Sequence, residues 1–332
     1  MGSQKRELVR ALDKARIWLD RKPRYCAVFL CFKHIDKGRH GHCSNWLKRF
    51  RVVLSNYACS RKHPKVRSYI GYVNQIDNSF GPVGSVFFVG RDKGDGVADP
   101  IYAVTAKHVI DGLRKKGVQE TIIRLNMKVD DPALGIVRVP IDTWYSHPED
   151  ESIDVAIHKM GIPAEVDHQA LPISGFMNSE LMAQHEISLG DEVFMAGLFR
   201  HHVGQGKNIP IIRTGNLAAL DDEKVATRHF GDMDAFLIES RSIGGLSGSP
   251  VFLNLGFVRS IEGQVKFYNA RDPMFFMLGL IHGHYDIKED QVDDGETLSS
   301  QQINTGIAIV TPYYSLLKVM EAFEREKVDQ KD

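Results

Sequence analysis

From about residue 70 onward, short apolar runs rich in Val, Ile and Phe alternate with turn residues, and none of them keeps a 3.6-residue period until the chain nears its end. The runs predict strands at 85–90, 101–105, 121–128, 136–141, 155–159, 192–197, 209–217, 235–239, 251–255, 275–282 and 306–310. Residues 313–324 break the pattern. There Leu316, Leu317, Val319, Met320 and Phe323 fall on one side of a helix, which predicts a single closing helix. About eleven short strands in one stretch, with no long helix among them, predict an all-β double barrel or sandwich.

Before residue 70 the texture is different. Leu8, Leu12, Ala15, Ile17 and Leu19 lie near helical spacing among Arg and Lys, so one amphipathic helix is expected over 5–20. Residues 21–67 show no period. Composition sharpens the division: residues 1–70 carry 18 Lys and Arg against Glu7, Asp13, Asp20 and Asp36, whereas the 332-residue chain is neutral overall, so the remainder is acidic. The expected organisation is a basic N-terminal extension, 1–70, partly helical or disordered, followed by one β domain over 71–332.

A content of 43% hydrophobic residues is enough for one large or two small cores, and so ordinary a composition excludes little. All four cysteines (Cys26, Cys31, Cys43 and Cys59) lie in the basic segment, so the β domain folds without disulfides. Residues 5–24 are charged throughout, unlike the apolar stretch of a secretory signal. The apolar run 26–32 is far shorter than the ~20 residues of a membrane span. The expected location is cytoplasmic.

Three segments carry candidate chemistry: Tyr102-Ala-Val-Thr-Ala-Lys-His108-Val109, Ser152-Ile-Asp154-Val-Ala-Ile157 and Gly244-Gly-Leu-Ser247-Gly-Ser-Pro-Val-Phe252. Each places its reactive residue beside an apolar run. A serine hydroxyl is a weak nucleophile that needs an imidazole to take its proton and a carboxylate to fix the tautomer of that imidazole. The segments supply one of each. Glycines around Ser247 permit a tight turn that aims the amides of Gly245 and Ser247 at a developing oxyanion.

On these residues the chain resembles the chymotrypsin/trypsin-like serine peptidases. Thr105-Ala106-Lys107-His108 is similar to their Thr-Ala-x-His motif, Asp154-Val155-Ala156-Ile157 to their aspartate motif, and Gly245-Leu246-Ser247-Gly248-Ser249-Pro250 to their Gly-x-Ser-Gly-x-Pro motif, in the same order. Gly84-Ser-Val-Phe-Phe-Val89 resembles their first strand, Leu189 to Gly197 and Thr214-Gly215-Asn-Leu resemble second-barrel strands, and Asn304 to Ile309 resembles the last strand of bacterial Deg/Htr peptidases. Residues 84–324 are covered. Ser249 and Lys107 depart from the family pattern. A PDZ domain does not fit in the stretch after Ile309, so single-domain bacterial enzymes, including the glutamyl endopeptidases, are the nearer likeness.

The resemblance implies two six-stranded antiparallel Greek-key barrels and a serine endopeptidase acting on protein or peptide substrates, with His108, Asp154 and Ser247 catalytic and with Gly245 and Ser247 as oxyanion donors. It implies no cofactor and no metal. It also places Arg241 and His282 near the pocket for the side chain preceding the cut, where both favour an acidic residue or Gln. An α/β-hydrolase is disfavoured, because Ser247 comes last of the three and is followed by Pro250 and a β-type run.

Two rivals stand beside the peptidase: a barrel that binds or signals without turnover or awaits a partner, and a nucleic-acid-associated protein working through its basic segment. That segment has three readings of its own. It binds nucleic acid or an anionic surface, it holds zinc through Cys26, Cys31, Cys43 and Cys59 with His34, His40 or His42, or it is a solvated extension. Zinc lacks a Cys-x-x-Cys pair. The pair His201-His202 is read as surface, with no metal role.

Overall fold

The computed structural model describes residues 70–75, 82–92, 98–128, 135–198, 204, 208–227, 230–240, 246–268, 273–289 and 301–329. The basic segment, with its expected helix, its cysteines and its proposed partners, lies outside the described residues, as do Arg241, Gly245, His201 and His202. All eleven predicted strands are present, within a larger β framework.

The first half builds one antiparallel sheet from β1 (Ile70–Gln75), β2 (Pro82–Asp92), β3 (Ala98–Thr105), β4 (Glu120–Leu125), β5 (Gly135–Pro140) and β6 (Ala156–Met160), in the order β5-β4-β1-β2-β3-β6. A short seventh strand, β7 (Leu171–Pro172), adds in parallel to β2. Between β3 and β4 runs helix α1 (Lys107–Lys115), with Val109, Ile110 and Leu113 turned inward. Strand β2 reads Val86-Phe87-Phe88-Val89 without alternation because both of its faces are covered, and all four residues are at most 1% exposed.

The second half starts after α2 (Ser179–Gln184), which the side chain of Asn178 caps through the Leu181 amide. Strands β8 (Glu192–Leu198), β9 (Pro210–Ala219), β12 (Phe236–Glu239), β13 (Pro250–Asn254), β16 (Phe275–Glu289) and β17 (Gln301–Pro312) close into a barrel in the order β12-β17-β16-β13-β8-β9. Two small hairpins sit apart from it: β10 (Val225–Thr227) with β11 (Gly231–Met233), and β14 (Val258–Ile261) with β15 (Gln264–Phe267). The closing helix α3 (Tyr313–Asp329) buries Leu316, Val319 and Met320, the stripe its sequence predicts.

The sequence leads to an expectation of two closed six-stranded barrels, and among the described residues one closes. In the first half, β5 ends in a 3₁₀ turn over Ile141–Thr143, after which Tyr145 and Ile157 exchange both backbone hydrogen bonds at 2.8 Å. A single bridge therefore joins the two ends of the sheet where a ladder was expected. Pro140 supplies the physical reason: it ends β5, offers no amide to a further rung, and turns the chain before it reaches β6.

The two halves share a core. Phe252 of β13, Met277 and Leu280 of β16 and the α3 stripe pack with the buried face of the first sheet, while Val251 and Leu253 point into the barrel. Phe252 stacks on Phe194 at 5.1 Å between ring centres and meets Phe275 edge-on. Arg91 holds Glu324 of α3 bidentately, Tyr102 also donates to Glu324, and Tyr145 donates to Glu326. Among the described residues no helix is long and apolar enough to cross a membrane.

Candidate active site

His108 is the second residue of α1, a helix whose first turn lacks a local side-chain cap because Ala106 stands at the capping position. The missing acceptor comes from elsewhere in the chain. Asp154, just before β6, accepts the His108 backbone N–H on Oδ1 at 2.8 Å and lies close to the His108 ring nitrogen Nδ1, with Oδ2 at 2.7 Å. One fully buried carboxylate therefore caps the helix and orients its imidazole, and the partial positive charge at the helix start favours its ionised form.

A second imidazole meets the same oxygen. His282 of β16 places Nδ1 2.5 Å from Asp154 Oδ2 and is 9% exposed. The two histidine rings face each other edge to face, 5.4 Å apart, and Phe230 lies edge-on to both, at 6.5 Å from His108 and 5.4 Å from His282. Lys107 extends its ammonium over the Phe230 ring at 5.7 Å, so this departure from the family pattern lands on an aromatic face. The pocket reading of His282 does not anticipate the carboxylate at its Nδ1. The signal was available in the chain as a histidine inside an otherwise apolar strand, Gly279-Leu-Ile-His282, where a buried polar group requires a partner.

His108, Asp154 and His282 form the one cluster of potential metal ligands found among the described residues. Their N···O separations of 2.7 and 2.5 Å are hydrogen-bond lengths. Zinc bonds of ~2.0–2.1 Å in a tetrahedral shell hold ligand atoms roughly 3.3 Å apart, so the cluster as it stands shares protons.

Burial by itself would raise the Asp154 carboxyl, but the charges and hydrogen bonds of His108 and His282 hold it well below the usual carboxylate range. Burial acts to lower His108, and Asp154, with a smaller contribution from Asp111, more than offsets this and raises it above the ordinary imidazole value. With Nδ1 held by the carboxylate, His108 keeps Nε2 as its free acceptor, the tautomer needed of a general base.

Ser247 lies in the turn 246–249 between β12 and β13, and the turn is held from both halves of the molecule. The Ser85 amide of β2 donates to the Ser247 carbonyl at 2.9 Å, the Gly248 amide donates to Ile281 O at 2.8 Å, and the Ile281 amide donates to Ser249 O at 2.9 Å. Gly248 is at φ +82°, and a Cβ there would stand 2.4 Å from Ser85 O and 2.5 Å from Thr105 Oγ1. Only glycine fits. The Ser247 hydroxyl donates to the His282 carbonyl at 3.3 Å, and among the described residues it makes no bond to the His108 ring.

The structure thus gathers His108, Asp154, Ser247 and His282 at the seam between the sheet and the barrel, with His282 touching both the carboxylate and the hydroxyl. The other departure from the family pattern, Ser249, is fully buried and lies against Gly197 of β8, where a Cβ would come 2.2 Å from Ser249 Oγ.

No family model matches the chain, and no curated protein matches its sequence. Among solved structures it is similar to the MamO protease domain from Magnetospirillum magneticum, at 15% identity over 77% of this chain and 97% of that one, with a TM-score of 0.43. It is also similar to a serine endoprotease from Yersinia pestis, at 14% identity over 82% of this chain and 67% of that one, TM-score 0.45. The HtrA-type protease AlgW bound to a decapeptide is a third, at 12% identity over 80% of this chain and 66% of that one, TM-score 0.45. At such identities function does not travel with fold, so the chemistry of the site rests on its own geometry.

Proposed function

We propose that the protein is a serine endopeptidase that cleaves peptide bonds through an acyl-enzyme. Ser247 is the nucleophile, His108 takes its proton on Nε2 and returns it to the leaving amine, and Asp154 fixes the ring and balances its charge. The amides of Ser247 and Gly245 hold the oxyanion. The observation that carries this reading is Asp154: buried without exposure and gripping both the backbone amide and the Nδ1 of one histidine, it is costly to fold around and fits a general-base role.

The hydroxyl of Ser247, resting on the His282 carbonyl, favours a second reading of the same site, in which turnover waits for a partner or substrate that turns the side chain toward His108.

Labelling by a fluorophosphonate probe tests the proposal. Wild type is expected to label, and Ser247→Ala and His108→Ala are each expected to label slower by roughly 10⁴–10⁶ or not at all. A folded wild type that does not react turns the reading to a barrel that binds without turnover or is switched on by a partner.

A further inference from the structure

We infer that His282 is a positioning residue of this site, a second imidazole that clamps Asp154 from the barrel side and ties the acid–base pair to the turn that carries the nucleophile. The inference deepens the peptidase reading and rests on it. His108, in α1, and Asp154, just before β6, belong to the first half of the molecule, whereas Ser247 lies in a turn of the second, so some group must fix one set against the other. His282 makes that link twice: its ring meets Asp154 Oδ2 at 2.5 Å, and its carbonyl accepts from Ser247 Oγ at 3.3 Å. Its neighbour Ile281 adds both backbone bonds to the turn that carries Ser247.

The chemistry follows from sharing one oxygen between two donors. Oδ2 accepts from both rings, while Oδ1 is taken by the His108 amide, so the carboxylate is held at three points and cannot rotate away from His108. Its charge is divided between two imidazoles, which tempers its pull on the proton of His108. The other charged group acting on His108 is Asp111 of its own helix, and Lys107 is turned to the Phe230 ring.

Removing the His282 ring should therefore do two things. The carboxylate loses an anchor, which slows reaction, and the charge it no longer shares presses on His108 alone, which raises the pH at which that base becomes neutral. A loss of mere packing would lower the rate and leave the midpoint in place.

The test is the rate of fluorophosphonate labelling against pH for wild type, His282→Leu and His282→Asn. In His282→Leu the rate is expected to fall roughly ten- to hundredfold, the range for losing a hydrogen bond to a charged group. Its acid midpoint is expected to rise by about half a unit or more. In His282→Asn an amide N–H near the position of Nδ1 is expected to recover most of both. A folded His282→Leu with wild-type rate and midpoint overturns the inference.

Proton NMR of ¹⁵N-histidine-labelled wild type supplies a reading independent of any variant's folding. Two low-field Nδ1–H resonances, one from each ring, are expected, and only one overturns the clamp. A wild type that shows both resonances but does not react with the fluorophosphonate instead overturns the peptidase reading, and the positioning role of His282 in it.

Discussion

The two halves of the molecule solve closure differently. The barrel closes through an unbroken ring of ladders, and its interior is filled by its own strands, among them Val193, Leu217, Val251, Leu278 and Val310. The first sheet does not close among the described residues; only the Tyr145–Ile157 bridge joins its two ends, and its buried face is completed by residues from outside it: Phe252, Met277, Leu280 and the stripe of α3. A sheet finished by its neighbour cannot shift without disturbing that neighbour. His108 and Asp154 sit on the dependent half and Ser247 on the self-sufficient one. Their alignment is therefore set by the seam, and the seam is the place to test which contacts hold it.

The strongest way to break it is at Gly248. Alanine there would have to keep φ near +82° and place a methyl carbon 2.4 Å from Ser85 O and 2.5 Å from Thr105 Oγ1, atoms of β2 and β3 that are themselves joined by a 2.8 Å hydrogen bond. Backbone strain alone costs about 1–2 kcal/mol, and the overlap forces the turn off the sheet. Gly248→Ala should abolish labelling of Ser247 while circular dichroism retains the β signal of the barrel. Labelling within a fewfold of wild type would show that the seam yields more than these distances allow.

What the sequence revealed divides along the same line. Apolar runs such as Val86–Val89 and Val251–Leu253 announce strands in either half, because burial on both faces leaves no polar position to blur them. The three candidate residues that the fold gathers, His108, Asp154 and Ser247, stand out in the sequence for a related reason: each adjoins such a run. Helix α1 was not anticipated, since Ala106 gives no capping signal and the acceptor arrives from Asp154, far along the chain. The hairpins β10–β11 and β14–β15 were missed because short strands with exposed side chains lack a hydrophobic pattern; Val265 and Phe267 are 61% and 63% exposed. The single bridge between the ends of the first sheet and the second partner of Asp154 depend on pairings that local pattern does not encode.

The acid–base side offers a measurement of intermediate size. Near-neutral activity follows from an imidazole at its ordinary value of about 6.5, but Asp154 raises His108 above that value. Because the base works only when neutral, labelling should rise with pH through a midpoint above about 6.5 and fall about tenfold for each unit below it. Stability should run the other way. A histidine raised on folding contributes its stabilisation below its unfolded value and loses it as pH rises through the folded one, so the window that switches His108 on removes part of its hold on the fold. Asp154, lowered on folding, stays ionised throughout that window and loses its contribution only under strong acid. A midpoint at or below 6 in the labelling profile would mean that Asp154 does not act on His108 as the geometry indicates.

The smallest effect lies on the barrel side of the seam, at Ser249 and Gly197. Ser249 Oγ is buried and finds no hydrogen-bond partner among the described residues, and it fits only because Gly197 has no side chain. Burying an unpaired hydroxyl costs about 1–3 kcal/mol, so Ser249→Ala should raise the midpoint of urea unfolding by an amount worth about 1 kcal/mol, with labelling unchanged. Gly197→Ala should destabilise by a few kcal/mol through overlap with the Ser249 hydroxyl and with Leu246 Cδ2, 2.6 Å from the added carbon, and adding Ser249→Gly should restore the part of that loss that Ser249 causes. If the two changes were simply additive, the pair would not be in the contact that the turn requires, and the position of Ser247 above it would need another support.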